Sequence, residues 1–131
     1  MFQRWPKRDP NKHYYLVPNE VFNLGLSSHE IAVYNYLLRC EDRKTYQCHP
    51  SYRTIGEAVG MSRNTVAKYV RQLEEKGLIR TERTTVTLKD GRKRNGSLLY
   101  TILPPEQAVE QFNRQQLANC LLYTSPSPRD R

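Results

Sequence analysis

The stretch Ser62-Arg63-Asn64-Thr65-Val66-Ala67-Lys68-Tyr69-Val70-Arg71 has apolar and hydrogen-bonding side chains at helical spacing. At about 100° per residue, Val66, Tyr69, Val70 and Leu73 gather on one side of the predicted helix. Asn64, Lys68 and Arg71 fall on the opposite side, flanked by Ala67 and Glu75, and Arg63, Asn64 and Thr65 occupy the first turn. Arginine can bond guanine O6 and N7 in bidentate fashion, and asparagine can do the same with adenine N6 and N7. Small Ala67 permits close approach to a groove. The hydroxyls of Ser51, Ser62 and Thr65, together with helix N-termini, suit phosphate oxygens. Such chemistry reads a duplex and breaks no bond.

The neighbouring elements are those needed to hold such a helix. Ser62 is its predicted N-cap and Gly77 its terminator. The preceding helix is capped by Ser51, carries Tyr52 and Arg53 in its first turn and turns Ile55, Ala58 and Val59 inward. Gly60 ends it, and only Met61 separates Gly60 from Ser62, so the order is helix, tight glycine turn, helix. Upstream, Pro18 opens a short helical turn through Val21, Phe22 and Leu24 that Gly25 ends. Ser27 and Glu30 then have capping-box spacing ahead of a helix to about Arg39, with Ile31, Tyr34, Leu37 and Leu38 on its apolar face. A polar connector over 41–49 has room for a short strand around Thr45-Tyr46-Gln47-Cys48. Downstream, Leu78 to Leu88 and Ser97 to Ile102 are strand candidates. The segment between them holds two turn dipeptides, Asp90-Gly91 and Asn95-Gly96, which predicts a hairpin with Lys89, Arg92, Lys93 and Arg94 at a basic tip. Those cations suit phosphates or a minor groove. Pro104-Pro105 stops the hairpin, and Glu106 to Leu117 forms a last helix with Ala108, Val109, Phe112 and Leu117 as its apolar positions.

Charge is concentrated where that chemistry sits. The 131 residues carry a formal net charge of +8. Residues 63–96 hold ten basic and four acidic side chains, and residues 1–12 hold four basic and one acidic. The rest is close to neutral. That distribution points to a polyanionic partner. No run approaches the roughly 18 apolar residues of a membrane span, and no secretory leader is legible, so the chain is expected in the cytoplasm. Three cysteines fit a reducing compartment. Cys40, Cys48, His29 and His49 match no common zinc spacing, so no metal is expected, and Cys40 reads as a small buried thiol. The tyrosines from Tyr14 to Tyr100 are expected to fill a small core and its rim. With no phosphate-cradling glycine loop, no His/Glu metal pair at i, i+4 and no nucleophile beside a base, neither an enzyme nor a cofactor is expected.

The run from Pro50 to Ile79, in which Ser62-Arg63-Asn64-Thr65-Val66 leads to Leu73-Glu74-Glu75-Lys76-Gly77-Leu78-Ile79, resembles the core of bacterial winged helix-turn-helix domains such as those of GntR-type regulators. It is closer to the helix-turn-helix proteins of phages, plasmids and conjugative elements, including the N-terminal domains of some replication initiators. An effector domain of the GntR kind is not expected to follow. The resemblance implies an α+β, mainly helical fold: a three-helix winged helix-turn-helix with a C-terminal β-hairpin wing and a trailing helix. It implies sequence-specific binding of double-stranded DNA in transcription regulation on or beside a mobile element. Origin binding in replication is the alternative, and a protein-interaction winged helix is a further one.

The expected organisation is a basic flexible arm over 1–12, the winged domain over 13–103, a C-terminal helix over 104–119 and an artefactual tail over 120–131. Cys120 to Asp130 resemble, letter for letter, the translation of a transposase adapter used in preparing sequencing libraries. On that reading the natural product continues past Asn119, where contacts to replication proteins would lie. The helix from Glu106 is the candidate homodimer surface.

Overall fold

The structure is a computed structural model that describes residues 13–124, with side chains to residue 120. The expected arm over 1–12 and the last part of the tail lie outside the described residues. A 3-10 turn (Asn19–Asn23) precedes α1 (Ser28–Cys40), β1 (Gln47–Cys48), α2 (Tyr52–Val59) and α3 (Arg63–Glu75). Four short strands follow: β2 (Ile79–Glu82), β3 (Thr85–Thr87), β4 (Lys93–Asn95) and β5 (Leu99–Ile102); α4 (Pro105–Thr124) comes last.

Each of the three bundle helices begins where a serine can cap it. The Ser27 hydroxyl accepts from the Glu30 amide at 3.2 Å, and the Glu30 carboxylate accepts from the Ser27 amide at 2.9 Å, completing the capping box. Ser51 accepts from the Thr54 amide at 3.1 Å, and Ser62 from the Thr65 amide at 3.2 Å. Gly60 ends α2 at φ 75° and Gly77 follows α3 at φ 80°, left-handed positions that suit residues without a β-carbon.

The core lies where these helices meet a small sheet of order β1-β5-β2, all antiparallel, with Ile79 opposite Ile102 and Cys48 opposite Tyr100. Val33, Tyr34, Leu37, Ile55, Val66, Leu73, Leu78, Ile79 and Tyr100 are essentially inaccessible. Along β5 the buried positions are Tyr100 and Ile102, the period of two expected of a strand with one face inward.

Four expectations need correction. The strand read as continuous from Leu78 to Leu88 breaks at Arg83-Thr84, and β3 pairs with β4 as a separate two-stranded ribbon. Lys93 and Arg94 therefore stand in a strand rather than in the tip, which is the turn around Asp90-Gly91. Asn95-Gly96 is not a hairpin turn: Asn95 ends β4, and the Gly96 amide donates to Thr84 O at 2.8 Å. A β-carbon on Gly96 would come 2.6 Å from Thr84 Oγ1, so glycine there serves close approach, not a tight reversal. Secondly, α4 starts one residue earlier, at Pro105, and runs to Thr124, into the adapter-like stretch. Ala108 is buried, and Val109 and Phe112 pack on the core, whereas Leu117 is 62% exposed. Thirdly, Cys48 is the buried thiol, with Cys40 only half-buried. Fourthly, Tyr34 and Tyr100 enter the core, but Tyr14, Tyr15 and Tyr46 are exposed, as are Phe22 and, on α2, Ala58, which was expected to face inward with Ile55.

Candidate nucleic-acid interface

Two serine caps set the turn. At each, the cap hydroxyl also lies 2.9 Å from a threonine hydroxyl three residues on, Ser51 with Thr54 and Ser62 with Thr65. One hydroxyl donates and the other accepts, so each pair keeps one hydroxyl hydrogen free for an outside acceptor. Thr54 was not singled out from the sequence, although its Ser-x-x-Thr spacing repeats that of Ser62 and Thr65.

The turn itself is closed by the backbone. The amides of Gly60 and Met61 both donate to Gly56 O, at 2.8 and 2.9 Å. Gly56 is buried, and a β-carbon there would collide with the Met61 carbonyl, while Val66 lies just beyond. Gly56 is thus what lets the backbone entering α3 lie directly on α2. This close approach, not a positive φ, is its requirement.

Beyond the turn, α3 buries Val66, Val70 and Leu73. Ser62, Arg63, Asn64, Lys68 and Arg71 are exposed, and Thr65 is half-buried. Tyr69, expected on the apolar side, is half-buried and stacks on His29 with ring centroids 5.2 Å apart. The Lys68 ammonium lies 5.2 Å from the Tyr69 ring centre. The side chains of Arg63, Asn64 and Arg71 have no hydrogen-bond or ion-pair partner among the described residues. On α2, Tyr52 is half-buried, whereas Arg53 is exposed and pairs with Glu57 on its own helix at 3.3 Å.

The β3–β4 ribbon stands beside this helix pair. Arg71 of α3 shares a cleft of about 470 Å³ with Arg83, Thr84 and Asn95 at the root of the ribbon. Glu74 also lines it, and there Thr81 donates to it through its hydroxyl at 3.0 Å. A second cleft, of about 480 Å³, joins the cap residues Ser51 and Tyr52 to Arg94 and Asn95. The fold thereby brings the first helix cap, the end of α3 and β4 to one side of the molecule. Lys89, Arg92 and Lys93 line neither cleft and are exposed further out along the ribbon. The Arg92 guanidinium lies 2.7 Å from the Asp90 carboxylate. The Arg92 amide and then its guanidinium hold the Asp90 carboxyl below the usual carboxylate range. Arg83 and Asn95 were missed in the sequence because the first was read inside a continuous strand and the second inside a turn.

Residues 24–79 match the family model described as a helix-turn-helix domain. No curated protein matches the chain. Solved structures that it resembles in outline include a possible transcriptional regulator from Methanosarcina mazei Go1, at 18% identity over 79% of this chain and 82% of that one, with a TM-score of 0.48. Another is the PcaV transcriptional regulator from Streptomyces coelicolor in complex with its natural ligand, at 22% identity over 88% and 85%, TM-score 0.43. A third is a cysteine-to-serine mutant of Lactococcus lactis ZitR in complex with DNA, at 18% identity over 86% and 70%, TM-score 0.41. The matched segment, with the ribbon that follows it, defines a winged helix-turn-helix domain. Domains of this class characteristically lay their second helix in the major groove of DNA. No helix among the described residues is long and apolar enough to cross a membrane.

Proposed function

We propose that this chain is a sequence-specific duplex-DNA-binding protein that regulates transcription. In this reading α3 lies in the major groove, with Arg63 and Asn64 at base edges and Thr65, Lys68 and Arg71 beside them. Ser51, Tyr52, Arg53 and Ser62 meet the flanking backbone at the helix N-termini. The ribbon sets Lys89, Arg92, Lys93 and Arg94 against phosphates.

The observation that carries this reading is the split face of α3. Its apolar residues are buried, while Arg63, Asn64, Lys68 and Arg71 stand exposed. A protein-interaction role for the same face is less well supported, because its exposed residues are polar or cationic and apolar anchors are few.

Selection of bound oligonucleotides from a random duplex pool tests the proposal. A palindromic consensus is expected, because regulators of this class bind two half-sites as symmetric dimers. Direct repeats would point instead to origin recognition. Recovery of no consensus would contradict sequence-specific binding.

A further inference from the structure

A groove of about 680 Å³ lies between the segment leading into the 3-10 turn, α1 and the start of α4, and residues of the two proposed DNA-facing clefts do not line it. Its walls are apolar, from Leu16, Val17, Leu38, Ile102 and Leu103. Its polar groups are mostly oxygens, from three glutamates and two tyrosine hydroxyls, with the side-chain amide of Asn19 beside them. Tyr34 lines it, is 1% exposed, and its hydroxyl has no hydrogen-bond partner among the described residues. Glu41, the C-cap of α1, lines it as well, with a buried Oε2 that also lacks a hydrogen-bond partner. Asn19, Tyr46, Glu20 and Glu106 line it too; no lysine or arginine is among the lining residues, and Arg43 acts on Glu41 from outside it.

Two buried oxygens left without partners, a carboxylate oxygen that accepts and a phenol hydroxyl that can donate or accept, are costly unless something supplies them. The volume falls within the range of small-molecule sites, and an apolar cavity with a few convergent polar groups is their usual form. The carboxylates select a positive charge, and exposed Tyr46 at the rim adds an aromatic ring that a cation can approach. We propose that this groove binds a small organic cation, a primary amine with an apolar or aromatic body, whose ammonium donates to Glu41 and Tyr34. Burial, then Glu41 and Glu20, push the Tyr34 phenol up to about 12, which keeps its hydroxyl neutral while it accepts.

The test is calorimetric titration of the full chain with phenethylammonium, with 3-phenylpropanoate as an anion of similar shape. Saturable binding of one amine per chain is expected, with none of the anion. Glu41→Gln should weaken amine binding roughly tenfold or more, as for a lost charge-assisted hydrogen bond. Tyr34→Phe should weaken it about fivefold while leaving the fold intact, because the hydroxyl removed has no partner. No heat up to millimolar amine would overturn the proposal. Equal affinity for the anion, or amine binding unchanged in both variants, would do so too. Replacing Arg4, Lys7, Arg8 and Lys12 together by Gln addresses the chain's own basic segment: amine affinity rising severalfold would assign the groove to that segment. Association of two chains that Glu41→Gln abolishes would assign it to a second copy. Either result overturns the proposal.

Discussion

Lys76, the C-cap of α3, holds its ammonium 2.8 Å from Oε2 of Glu30, the residue that closes the capping box of α1. One buried carboxylate thereby fixes the start of one helix to the end of the helix proposed to read DNA. Burial alone would raise the Glu30 carboxyl, but the Lys76 ammonium and the Ser27 amide and hydroxyl together hold it below the usual carboxylate range.

A depressed carboxyl stabilises the fold above its unfolded value, and that contribution is lost as pH falls through the folded one. Glu30→Gln keeps an acceptor for the Ser27 amide and loses the charge. Its stability should trail wild type by roughly 1 kcal/mol at neutral pH, with the gap closing in acid below the ordinary carboxylate range near about 4.3. Urea unfolding across pH checks this, and a gap constant with pH would contradict it. Glu41, raised by burial against the opposing pull of Arg43, acts with the other sign, favouring the fold at low pH and ceasing to as pH rises through its folded value.

Gly56→Ala and Gly60→Ala separate two uses of glycine in one turn. A β-carbon at Gly60 meets nothing, so that change should cost only the left-handed penalty of about 1–2 kcal/mol. At Gly56 it meets the Met61 carbonyl. Overpacking of this kind costs about 1–3 kcal/mol, and against a backbone atom the upper end is expected, together with a displaced α3. Thermal unfolding should rank Gly56→Ala the less stable, and DNA binding should suffer more than stability. The reverse ranking would contradict this account of the turn.

The α3 residues and the ribbon residues should fail differently. Arg63→Ala or Asn64→Ala should relax preference at one base pair, at a cost of about 1–3 kcal/mol. Arg94→Ala should weaken binding to all sequences and lower the salt slope by about one contact. Arg92→Ala should do less, because Asp90 accompanies that guanidinium, and Asp90→Asn should tighten binding. Affinities measured over a salt series distinguish these outcomes; equal slopes in all variants would remove the ribbon from the interface.

Tyr100→Phe removes a buried hydroxyl that has no partner among the described residues. Deleting an unsatisfied buried polar group should leave stability unchanged or raise it. A loss of more than about 1 kcal/mol in urea unfolding would mean that the hydroxyl is satisfied in solution.

The helices were legible because their signals are local. Serines at 27, 51 and 62 mark the starts, the first with Glu30 three residues on, and Gly60 and Gly77 the ends. The exposed face of α3 followed from its period. The ribbon was not legible in the same way. Its break at Arg83-Thr84 and the packing of Gly96 against Thr84 are contacts between distant residues, and Asn95-Gly96 read locally as the stronger turn. The clefts holding Arg83 and Asn95 depend on that break. Gly56 was hidden for a related reason: its requirement is a carbonyl five residues away, not its own dihedrals.

The most direct test of the central claim is titration of a labelled duplex carrying the consensus recovered from the random pool with the full chain in dilute buffer, repeated for the triple variant Arg63→Ala, Asn64→Ala, Arg71→Ala. Fluorescence anisotropy should show saturable uptake that weakens steeply with salt, as expected when several phosphates are neutralised, and the triple variant should lose most of it. Failure to take up duplex at low salt, or uptake undiminished in the triple variant, would contradict the placement of α3 on DNA.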